Sequence, residues 1–169
     1  MPHGTGYESD ILGWSEDQAD RLRRIARGEL PNDVGIDWPN VIEEIEDVGK
    51  RERRAAMSLL NVALVHVLKA YGWPEHRDRD HWLSEATTAL LKLRRVVDPG
   101  MRQRLDLAAV YADAREGVEI DKMDRRGPRP LPHSIPLAFD DIAPGTGVGA
   151  LELLARVDAA AKGEGAAPG

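Results

Sequence analysis

The chain has 169 residues, 42% of them hydrophobic and 31% charged, which fits one soluble domain with a sizeable core. Its formal charge of −6 excludes a general nucleic-acid binder, which needs a basic surface to release counterions. With no cysteine, disulfides, thiolate metal sites and cysteine nucleophiles are excluded, and with aromatics at 5% the core must be mainly Leu, Val, Ile and Ala.

The N-terminal MPHGTGYESD has neither a basic n-region nor an apolar stretch, so no signal peptide is expected. The longest apolar run, Val62 to Val67, is interrupted by His66 and is too short to span a bilayer. A cytoplasmic protein with no membrane partner is expected. Ser15 with Gln18 three residues later fits a capping box, and Ala19, Leu22, Ile25 and Ala26 carry a first helix to about Gly28. After the turn LPNDVGID, Asp37 is a good N-cap for a second helix from Trp38 to about Tyr71, and whether that helix bends at Gly49 is left open by the sequence. The connection PEHRDRD leads to a third helix from about Asp80 to Val97, with Trp82, Ala86, Ala89, Leu90, Leu93, Val96 and Val97 on one stripe. Asp98-Pro99 is a stop and restart, predicting a fourth helix from Pro99 to about Lys122. The prolines of RRGPRPLPHSIP predict an extended surface arm, residues 148–161 a short fifth helix, and KGEGAAPG a disordered tail. With no strand-period run and no repeat, the reading is all-α: an antiparallel four-helix bundle over residues 1–144, with a C-terminal extension over 145–169.

On a helical wheel, Trp38, Val41, Ile42, Ile45, Val48, Ala55, Ala56, Leu59, Leu60 and Ala63 share one stripe of the second helix. Glu43, Glu46 and Asp47 point away from it, and Glu46→Lys50 and Asp47→Arg51 are i,i+4 pairs in the favourable order. Most of VIEEIEDVGKRERR therefore reads as a solvated face. Glu52 does not, because it falls near the centre of the stripe, where a carboxylate needs a partner such as Arg94, Arg102 or Arg115. His66, with Asn61 close by, is embedded where the helix is apolar nearly all round, and Glu85, Asp113 and Tyr111 are its candidate partners. Glu44, Glu52, His66, Glu85 and Arg115 make up the candidate buried polar site. No catalytic residue is identified.

The spacing of ligand-type residues argues for no metal and no cofactor. No Glu is followed by His at the +3 position that a di-iron bundle requires, and His76 and His81 are five apart in a charged loop. HExxH, an EF-hand loop, GxSxG and a P-loop are all absent, and GTGVG at 145–149 follows no strand.

The order YESD, EDQADRLR, DWPNVIEEIEDVGKRERR, LVHVLKAYGWPE, VYADAR and LPHSIPLAFDDI resembles the DUF29 family of bacterial proteins over roughly residues 7–142. That resemblance implies an all-helical fold and places Glu44, Glu52 and His66 in the family pattern, without implying a reaction. The expectation for function is an interaction module that binds a protein partner or itself as a homo-oligomer. The alternative is an enzyme or metal-binding protein with a polar pocket around Glu52 or His66.

Overall fold

The structure is a computed structural model that describes Tyr7 and residues 10–29 and 35–165. Those residues form five α-helices, α1 (Ile11–Ala26), α2 (Trp38–Gly72), α3 (Arg79–Val96), α4 (Leu107–Glu119) and α5 (Ala150–Gly165), with 3-10 turns at Pro99–Met101 and Phe139–Asp141. Among them there is no named strand, so the all-α reading holds. Contacts divide the chain into two compact units, residues 1–51 and 52–169, and the boundary falls within α2. The sequence reading placed a division at 144/145. It is absent there because α5 is core: Leu153 and Val157 are completely buried. The tail expectation fails over Lys162–Gly165, which are helical, while 166–169 lie outside the described residues.

In the first unit, α1 is capped five residues earlier than expected. Asp10 caps it, its carboxylate accepting from Gly13 N at 2.9 Å, whereas Ser15 lies inside the helix and bonds Leu12 O. Gln18, the expected capping partner, is instead buried and accepts from Asp37 N at 2.8 Å. The helix ends as predicted. Gly28, at φ +73°, donates to Ile25 O while Glu29 donates to Arg24 O, a left-handed C-terminal cap that suits glycine. Trp14 Nε1 donates to Asp37 Oδ2, and Tyr7 lies edge-on to Trp14 at 4.8 Å. Ile36 and Val41 complete a small core.

The main core lies in the second unit. Ala56, Leu60, Ala63, Leu64, Val67 and Leu68 of α2 pack with Trp82, Ala86, Leu90 and Leu93 of α3, Val110, Ala114 and Val118 of α4, and Leu153 and Val157 of α5. The predicted fourth helix is interrupted. Asp98 caps only the turn at Pro99–Met101, and a second cap, Asp106, restarts the chain at Leu107 by accepting from Ala109 N. The proline-rich arm is extended, but it does not stay on the surface. Leu131 and Pro132 are buried, and the Tyr111 hydroxyl donates to Pro132 O at 2.9 Å. The arm passes so close to α2 that a Cβ at Gly72 would lie 2.7 Å from Pro128 Cβ, and there Arg129 N donates to Gly72 O. Helix α2 meets the length and apolarity needed to cross a membrane, yet half of its most apolar window is buried inside the protein, as in a core helix.

Candidate functional site

The five residues read as a buried polar site are not joined by any hydrogen bond or ion pair among the described residues. Glu52 is exposed and has no such partner. The wheel was right about its angle, but nothing covers the stripe at that level, so the carboxylate stays in water. Its expected arginines are engaged elsewhere: Arg94 donates to Val148 O, Arg102 pairs with Asp140 and Arg115 with Glu119. Glu44 belongs to the first unit. It is half-buried, accepts from the Tyr7 hydroxyl at 2.8 Å and lies 3.5 Å from Arg51. That hydrogen bond, with desolvation, pushes the Tyr7 phenol up to about 12.

His66 is half-buried, and its Nδ1 is enclosed without a hydrogen-bond partner. Burial lowers its pKa, the Lys69 ammonium lowers it further, and the Glu85 carboxylate opposes both. Glu85 itself is exposed. Tyr111, a suggested partner, is committed to Pro132 and is pushed up to about 12 by burial. The arrangement keeps His66 neutral and offers no nucleophile or second acid beside it. Among the described residues, no group of three or more His, Asp or Glu side chains is set to hold a metal.

The second unit has a cavity of about 450 Å³ that sequence reasoning missed, lined by residues 72–76, Met123, Asp124, Arg126 and Gly127. His76 stacks on Trp82 at 4.9 Å and accepts at Nδ1 from Asp78 N, which leaves Nε2 as the donor, 3.7 Å from Asp124 Oδ2. Asp124 and Arg125 both take positive φ, +49° and +66°, in a two-residue turn closed by paired Met123 and Arg126 backbone bonds. Such turns favour Gly, Asn or Asp; Asp124 fits the first central position, but Arg125 stands where Gly is usual, so the sequence carried only half of the signal. The Trp73 indole donates to Arg126 O and pins the turn in place.

Among the described residues, exposed large hydrophobics are most concentrated on the first half of α2. Trp38, Ile42, Ile45 and Val48 are 41%, 53%, 68% and 57% exposed. With Ile11 and Leu12 of α1, six of the ten exposed large hydrophobics among the described residues fall in the first unit; the rest are spread singly. Charge divides the same way. Residues 1–51 carry twelve acids against six bases, while residues 52–169 carry seventeen of each, so the whole net charge of −6 belongs to the first unit.

Residues 6–144 match the sequence profile described as domain of unknown function DUF29. This chain belongs to the DUF29 family. The DUF29 protein is also similar to an alpha-helical protein of unknown function from Rhodospirillum rubrum ATCC 11170, whose crystal structure was solved at 1.45 Å resolution. The two are 32% identical with a TM-score of 0.60, over 92% of this chain and 99% of that one. No curated protein matches the DUF29 chain. The profile ends at residue 144, so α5 lies beyond the matched region although it fills the core of the second unit.

Proposed function

We propose that this DUF29 protein is a bacterial, cytoplasmic interaction module whose docking surface is the apolar stripe Trp38, Ile42, Ile45 and Val48 on α2. The exposure of four large side chains in one row carries this reading. Single exposed hydrophobics are ordinary; a contiguous patch marks an interaction site. Burying one Ile or Val side chain fully is worth about 1.5–3 kcal/mol, so this row leaves a substantial driving force for association unused. The scattered polar candidates in the second unit supply no comparable concentration of groups.

Affinity purification of tagged wild-type protein, alongside an Ile42→Asp/Ile45→Asp bait, tests the reading. A protein recovered near stoichiometry with the wild type and lost with the double variant supports it. If both baits return the same proteins, or neither returns any and the wild type is monomeric by light scattering, the stripe is not a docking surface.

A further inference from the structure

We propose that a second cavity of the second unit binds a small organic anion, a carboxylate or phosphate head held by Arg79 and Arg129 with a short apolar body against α5. The cavity has about 260 Å³ and is lined from the end of α2, the start of α3, the proline-rich arm and α5. Sites for drug-sized ligands run to roughly 300–1,000 Å³, so the occupant here is smaller.

Two guanidiniums line this cavity against one carboxylate, Asp158. Arg79 is half-buried, and its Nε is enclosed without a hydrogen-bond partner. Arg94 and Arg115 also enclose an unpartnered Nε, but each sets another guanidinium nitrogen on an acceptor, Val148 O and Glu119 Oε1. Arg79 forms no ion pair and no side-chain hydrogen bond among the described residues. A guanidinium drawn from water with nothing on its fork carries a desolvation cost, which an oxyanion offsets with paired charge-assisted bonds.

Arg129 is positioned without being satisfied. Its backbone N–H donates to Gly72 O, and its Cζ lies 3.6 Å from the centre of the Tyr71 ring. Stacking uses the face of the guanidinium and leaves the N–H groups along its edge free. Asp158 Oδ1 is 3.9 Å away, too far for a hydrogen bond, and Asp158 Oδ2 already accepts from Lys162. Two cations sharing one cavity repel, and an anion bound there relieves the repulsion. Because both are held by the fold, little ordering is left for binding to cost.

The remaining lining gives the ligand its body. Apart from these three charged residues every lining residue is apolar, including Leu151 and Leu154 of α5. Leu151 is 69% exposed, and this cavity is where it stands. Such a wall favours hydrocarbon attached to the anionic head over a bare inorganic ion.

Calorimetric titrations of the full chain with hexanoate, hexyl phosphate, inorganic phosphate and hexylammonium test the proposal. At least one hexyl anion is expected to bind saturably and at least about tenfold more tightly than inorganic phosphate, and the tighter of the two identifies the head. Hexylammonium should not bind. Arg79→Gln should weaken the hexyl anion at least about tenfold, and Arg79→Lys, which keeps the charge and loses the fork, should weaken it less. Leu151→Ser, at an exposed position, should weaken it with no change in the circular dichroism spectrum. With wild-type protein alone, failure of both hexyl anions to bind, or equal binding of hexylammonium or of inorganic phosphate, would overturn the proposal. Binding left unchanged by both Arg79→Gln and Leu151→Ser would overturn it as well.

Discussion

Arg156 on α5 shows how single residues hold the second unit together. Its guanidinium lies 2.8 Å from Asp141 Oδ2 and donates at 3.0 Å to Oδ1, while also reaching Glu152 and Pro136 O. This fork holds the Asp141 carboxyl below its ordinary value of 3.8. A carboxyl whose folded pKa is depressed contributes stability that is present above its unfolded value and lost as pH falls through the folded one. Asp141→Asn should therefore cost about 2–3 kcal/mol at neutral pH and flatten the acid limb of a urea-denaturation series below the ordinary carboxyl value. His66 works in the opposite sense for a base. Burial lowers its folded pKa, so the unfolded chain takes up the proton first, and stability falls as pH drops below about 6.5. The slope is gentler than about 1.4 kcal/mol per pH unit, because the ring is half exposed. His66→Gln should remove that decline in thermal melts between neutral pH and pH 5.

At the scale of elements, most helices were legible because their apolar positions recur at helical spacing: α3 buries Trp82, Ala86, Ala89, Leu90 and Leu93 as its stripe predicts. Two things were not legible. The break before α4 depends on which of two aspartates, Asp98 or Asp106, caps a long helix, and both have the right chemistry. The environment of Glu52 depends on whether anything covers the stripe, and periodicity gives an angle without giving a neighbour. Ala56, one turn further on, is buried, while Val48, one turn back, is open. Gly49 lies within this uncovered stretch. A Cβ there would meet nothing within 4 Å, and α2 is a single helix through the position. Gly49→Ala should raise stability by about 0.5–1 kcal/mol in chemical denaturation, since glycine inside a helix carries that entropic penalty.

For the whole molecule, the consequential result is that the segment beyond the family profile is structural. Leu153 is completely buried, so Leu153→Ala should cost about 2–4 kcal/mol, as much as a change in the α2 core such as Leu64→Ala. An extension docked on a finished bundle would lose much less. Denaturant midpoints of the two variants, measured side by side, decide between these. The sequence could show that residues 148–161 are helical but not that the core is incomplete without them, because a 3.6-residue period is the same for a core helix and an appendage. The boundary between the compact units at 51/52 has a practical side as well. Lys50, Arg51, Arg53 and Arg54 flank it, all exposed, so four trypsin cleavage points crowd into a single turn and a half of helix. Proteases need the backbone unwound, so the rate of nicking there reports how often this stretch of α2 opens. A bound partner that clamps the neighbouring turns would register as protection from digestion, before anything is known of its identity.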